Sequence, residues 1–154
     1  MELSDLLTPE RVIADLQATD KRALLGELGR RAGLLLKMPA GRITEALESR
    51  EQLGSTGLGR GFALPHARLE GLDRFFGMFV RLTRPIPFDA IDDQPVSLVF
   101  LLLSPATSGN EHLAALAAIS RRMSEADVVR RLRSASTAAA LFADLVGGNG
   151  QQAA

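Results

Sequence analysis

Apolar positions recur at helical spacing in the first third of the chain. Leu24, Leu25, Leu28, Ala32 and Leu35 fall on one face of a helix that starts at Lys21 and that Asp20 can cap. "KMPAGR" interrupts the pattern. Pro39 suits the first turn of a second helix, in which Ile43, Ala46 and Leu47 make the inward stripe. Gly54 ends that helix, as glycine commonly does. The pattern then changes. "GFALPH" (61–66) reads as a short strand and "FFGMFVRL" (75–82) as a longer one. "RPIPFDAIDDQP" is loop. "VSLVFLLL" (96–103) is apolar at nearly every position, which predicts a strand covered by helices on both faces. After the loop "SPATSGN" a helix is expected from about Glu111 to Met123. Another is expected to be capped by Ser124, with Asp127 three positions on, and a last one to run from Ser136 to just before Gly147. Residues 1–19 read as a lead-in and 147–154 as a frayed tail.

Helices at both ends with strands between them imply a layered α/β domain, expected to span residues 1–146. The link "RLEGLDR" is short, so at least one strand pair should be antiparallel. The chain has 154 residues, enough for one core of ordinary size. Eighteen basic residues balance eighteen acidic ones, which gives no reason to expect a nucleic-acid partner. The acidic start "MELSDLL" lacks the basic and apolar regions of a signal peptide. The longest strongly apolar run, 96–103, is too short to span a bilayer. These features predict a cytoplasmic protein without membrane insertion. There is no cysteine, and the two histidines are isolated, so neither a metal site nor another cofactor is expected.

The stretch "GSTGLGRGFALPHARL" (54–69) first suggests a phosphate cradle. Walker A fails, because Arg60 and Gly61 stand where lysine and a hydroxyl are needed. The dinucleotide fingerprint fails at Phe62. The order is also reversed, since these glycines leave a helix and enter a strand.

Three polar residues fall at apolar phases. Continuing the second helix's stripe reaches Arg50, whose guanidinium is costly there without an anion or bonding partners. One turn before Leu116, and in phase with Ile119, comes His112, in a first turn whose free N–H groups favour anions. His66 is in phase with Phe62 and Leu64 at a strand end stiffened by Pro65. Singly, these have ordinary explanations: a snorkelling arginine, a histidine bonded to a loop carbonyl, a histidine in a tight turn. One arrangement uses all three, with an imidazole nucleophile beside a guanidinium and a second imidazole that hold phosphoryl oxygens.

"SREQLGSTGLGRGFALPHARL" resembles the active-site signature of enzyme IIA domains of the mannitol/fructose class in the bacterial phosphoenolpyruvate-dependent phosphotransferase system, nearest to their nitrogen-regulatory branch. "RPIPFDAIDDQPVSLVFLLLSP" and "HLAALAAISRRMSEADVVRRLRSA" resemble later segments of that branch in order and spacing. The resemblance runs from about Asp20 to Ala143. It implies a mixed parallel and antiparallel sheet flanked by helices on both sides. It implies that His66 accepts a phosphoryl group from an HPr-like carrier, that His112 and Arg50 stabilise it, and that Ser55 or Thr56 supplies a hydroxyl nearby. Regulatory target proteins would be the output. A sugar-specific component that passes phosphate to a separate IIB protein, and a non-phosphorylated interaction module, are the alternatives; weak homo-oligomers stay open. The absence of a fused sugar-specific domain favours regulation. Two positions depart from the family pattern. Ala67 stands where glycine is usual, and Arg60 where the nitrogen branch commonly has asparagine.

Overall fold

The computed structural model describes residues 1–147. Its elements run β1 (Val12–Leu16), α1 (Lys21–Leu36), α2 (Ala40–Gln52), β2 (Gly57–Gly59), β3 (Phe62–Ala63), β4 (His66–Leu69), β5 (Phe76–Ile86), β6 (Val96–Pro105), α3 (Asn110–Met123), α4 (Ala126–Ser134) and α5 (Ala138–Val146). One mixed sheet of six strands follows the order β1-β5-β6-β3-β2, with β4 also paired to β6. β5 runs antiparallel to β6, while β3 and β4 run parallel to it. This is the single-domain mixed sheet that the family resemblance implied.

β6 is central, and from Leu98 to Pro105 every residue is buried. Its side chains alternate between two cores. Val99, Leu101 and Leu103 face α1 and α2, packing with Leu24, Leu28, Ile43 and Leu47. Leu98, Phe100 and Leu102 face α3, α4 and α5, packing with Ile119, Leu132 and Leu141. Both faces are thus covered, as the continuous apolar run requires.

β3 and β4 keep one register on β6. Phe62 pairs with Leu98 and His66 with Leu102, an offset of 36 residues in both cases. They are one strand with an interruption at Leu64 and Pro65. Pro65 has no N–H, yet its carbonyl still accepts from Leu102 N at 3.0 Å. His66 therefore opens β4 instead of closing a strand, while staying in phase with Phe62 and Leu64.

Several expectations need correction. Residues 1–19 are more than a lead-in: they hold two short 3-10 turns and β1, which pairs with β5. Asp15 sits at φ 58° where the β1–β5 register shifts, and this breaks the alternation that would have marked a strand. Leu35 is exposed at the end of α1. Pro39 precedes α2 as its N-cap residue. β5 continues through residues 84–86, part of the expected loop. The link at 68–74 joins β4 to β5, which flank β6 and do not pair; the antiparallel partners are β5 and β6. Ser124 closes α3, its hydroxyl donating to Arg121 O at 2.7 Å, so α4 has no serine cap. Thr137, not Ser136, caps α5 by accepting from Ala140 N. The expected tail from 148 onward lies outside the described residues.

Candidate functional site

The end of α2 carries Arg50, and β4 opens on His66. The chain between them must reverse within a few residues. Gly54 leaves α2 at φ 149°. β2 and β3 then form a hairpin whose two turn residues, Arg60 and Gly61, both lie in the left-handed region at φ 57° and 78°. Such a turn matches the twist of the strands it joins. The glycines shape this reversal and hold no phosphate-cradle geometry.

His66 is half-buried. Its Nδ1 lies 2.8 Å from Leu64 O. A carbonyl only accepts, so Nδ1 carries the proton and Nε2 keeps its lone pair. Arg50 Nε donates to that lone pair at 3.3 Å, while Arg50 Nη1 is anchored on Gly54 O at 2.9 Å. Burial foremost pulls the His66 pKa below the ordinary value. The charges of Arg50 and Arg68 add to that fall, whereas the Leu64 bond and the Glu51 charge oppose it. The ring is neutral near pH 7, with one nitrogen available.

His112 lies across from it. The ring centroids are 5.6 Å apart and the planes tilted by 52°. His112 is 7% exposed, and its Nδ1 lies 2.8 Å from Ser104 Oγ. Burial, then the charges of Arg68 and His66, push its pKa down to about 4. The backbone N–H groups of Glu111 and His112 at the start of α3 are not free for an anion, contrary to the expectation. The His112 N–H donates to Gly109 O, and that of Glu111 to Ser108 O, both at 3.2 Å. What α3 contributes is the imidazole itself.

Arg50, His66 and His112 therefore come together. Ser55 and Thr56 are placed in the loop beside them with their hydroxyls engaged. Ser55 Oγ donates to Phe88 O at 2.7 Å, and the Thr56 hydroxyl donates to the Glu51 carboxylate. Glu51 is held in turn by Lys21 at 2.8 Å. Either hydroxyl would have to give up its bond to donate to a phosphate.

Two residues escaped the sequence reading. Arg68 lies two positions beyond His66 on β4, hence on the same face, and donates to Gly109 O at 3.2 Å. That H-x-R spacing on a strand was the available signal. Ser104 supports His112 from β6; following the apolar run, it reads in the sequence as the start of a loop.

A neutral imidazole flanked by cations and a second imidazole, at the broken strand of a two-faced mixed sheet, makes an electropositive site of an α/β domain, suited to an anionic group. The family model described as "Phosphoenolpyruvate-dependent sugar phosphotransferase system, EIIA 2" matches residues 5–145, and the chain belongs to that family. It is thus a phosphotransferase-system component of the IIA phosphocarrier type. A nitrogen regulatory protein of Bradyrhizobium diazoefficiens is 41% identical over 145 residues, covering 94% of this chain and 95% of that protein. One from Escherichia coli K12 is 38% identical, covering 92% and 88%. The crystal structure of nitrogen regulatory protein IIA-Ntr from Neisseria meningitidis superposes with a TM-score of 0.88 at 34% identity, covering 93% of this chain and 98% of that one. Among the described residues no helix is long and apolar enough to cross a membrane.

Proposed function

We propose that this chain is a histidine phosphocarrier with regulatory output, charged by the phosphohistidine of an HPr-like protein. The observation that carries this reading is the Nδ1–H bond from His66 to Leu64 O, which leaves Nε2 as the nucleophile. The Nε2 lone pair forms the new N–P bond. The donor's N–P bond breaks, and its electron pair returns to the donor imidazole. The proton stays on Nδ1, which goes on donating to Leu64 O, so the phosphorylated ring is cationic against a dianionic phosphoryl group. Arg50, His112 and the charge of Arg68 offset the anionic oxygens in a transition state that needs chiefly positioning and positive field. Exposed Leu53 and Leu113, beside the Arg50 anchor and His112, suit a protein donor better than a small molecule.

The relatives' name, nitrogen regulatory protein, supports regulation as the output. A dianionic phosphoryl group on His66 changes which proteins dock there. A sugar-specific role has its own support: a fructose-specific EIIA component of Haloferax volcanii is 37% identical over 108 residues, covering 66% of this chain.

Incubation with phosphoenolpyruvate, enzyme I and an HPr-type carrier should yield one acid-labile phosphoryl adduct by intact mass, absent in His66→Ala. No adduct with any cognate carrier overturns the proposal. An adduct that survives His66→Ala reassigns the nucleophile. Rapid loss of the label to an added IIB protein would favour the sugar-specific role.

A further inference from the structure

Ser104 ends a run of buried apolar residues on β6 and is itself fully buried. Its hydroxyl has one hydrogen-bond partner among the described residues, His112 Nδ1 at 2.8 Å. A serine hydroxyl holds a single proton, and burying it without an acceptor carries its full desolvation penalty. If His112 donated from Nδ1, the Ser104 O–H would need another acceptor, and it has none. The bond therefore runs from Ser104 Oγ to a lone pair on Nδ1. A neutral imidazole has one proton, which then sits on Nε2.

His112 is neutral across the physiological range, because burial and the facing groups on β4, Arg68 and His66, disfavour its charge. A neutral ring without a fixed partner can take either tautomer. We propose that Ser104 is a positioning residue, whose hydroxyl holds His112 as the Nε2–H tautomer so that it offers a donor to phosphoryl oxygens on His66. The two rings then hold opposite tautomers. His66 is Nδ1–H with a free Nε2 lone pair, and His112 is Nε2–H. One supplies the nucleophile and the other the hydrogen bond. The wrong tautomer of His112 would present a lone pair to an anionic oxygen. The role in transfer rests on the phosphocarrier reading of His66; the tautomer does not.

Nitrogen-15 NMR of the histidine side chains in the unphosphorylated protein tests the tautomer directly. The expected result is protonated Nε2 for His112 and protonated Nδ1 for His66. A protonated Nδ1 on His112 overturns the proposal, whatever the variants do. Ser104→Ala should move His112 toward a mixture of tautomers. It should also slow phosphoryl transfer about ten-fold, the size expected for one ordering hydrogen bond. Ser104→Thr, which keeps the hydroxyl, should restore the tautomer and most of the rate. In a His112→Ala background Ser104→Ala should cost nothing further. Full additivity there, or an unchanged tautomer in Ser104→Ala, also overturns it. If wild type takes no phosphoryl group at all, the function proposed above fails, while the tautomer result still stands on its own.

Discussion

The glycine-rich hairpin and the histidine cluster are neighbours in sequence, and they treat their polar groups in opposite ways. In the hairpin the polar groups are consumed locally. Ser55 Oγ donates to Phe88 O and accepts from Gly57 N at 3.0 Å. Arg60 N donates to Asp92 Oδ2 at 2.9 Å, and Arg60 O accepts from Arg133 Nη2 at 2.7 Å. Gly61 O takes both Ser97 N and Leu98 N at 3.0 Å. These backbone and hydroxyl groups are already engaged. In the cluster His66 Nε2 meets only the long 3.3 Å contact from Arg50, so its lone pair is nearly uncommitted. The difference teaches where to look for chemistry: polar capacity left over at a half-buried rim is more informative than glycine density.

That contrast can be broken, and the sharpest attempt is Arg50→Gln. Loss of the guanidinium should lower the phosphoryl transfer rate onto His66 about 100- to 1000-fold, the range for one preorganised charge-stabilising donor. Melting should change little. A loss below three-fold by quenched-flow labelling would move Arg50 out of the site.

Acid should separate the two regions next. Folded His112 has its pKa lowered to about 4 from an ordinary 6.5. Above pH 6.5 neither state binds the proton. As pH falls toward 4 the unfolded chain takes it up while folded His112 refuses, so stability should fall by about 3 kcal/mol. His66 is shifted in the same direction and adds to the loss. In the β5–β6 loop Asp92, which accepts from the hairpin's Arg60 N, is lowered by its backbone bonds, so its contribution is lost only as pH falls below 3.8. Urea unfolding at a series of pH values should show a slope between 6.5 and 4 that flattens in His112→Gln. An unaltered slope would place the acid-sensitive group elsewhere.

Gly61→Ala probes the other side of the comparison. A Cβ at φ 78° would also stand 2.6 Å from Arg133 Nη2, which already holds the turn. A destabilisation of about 1–2 kcal/mol is expected, with the transfer rate kept within two-fold. A rate loss larger than the stability loss explains would join hairpin and site functionally. The smallest effect belongs to Arg60→Asn. Asparagine tolerates the left-handed region better than arginine, so the hairpin should gain about 0.5 kcal/mol by thermal unfolding.

Much of the site was legible because it obeys simple periods. Arg50 continues the stripe of Ile43 and Leu47, and His66 keeps the phase of Phe62 across the Pro65 interruption. Regular phase survives even when pairing is broken, so these side chains can be placed on their faces from spacing alone. What escaped depended on contacts between distant segments. β1 is obscured by the left-handed Asp15. Ser124 is an apt cap by composition, but the chain had already used it to end α3. β2 is three residues of glycine and leucine whose strand character comes from the turn that follows. Ser104 looked like the start of a loop, and only the packing of α3 on the sheet shows that its hydroxyl reaches His112.

The 36-residue register between the broken strand and β6 also dictates when the site can exist. As the chain leaves the ribosome, residues 62–63 can pair only with β2, and residues 66–69 have no ladder partner until the segment through Pro105 has followed them. His112 comes later still, and the second core closes only when α5 arrives. A nascent chain halted before β6 carries Arg50 and His66 but lacks the strand on which β4 is laid and the His112 ring that faces His66. Synthesis must therefore run well past His112 before His66 acquires its surroundings, more than forty residues after His66 itself is made.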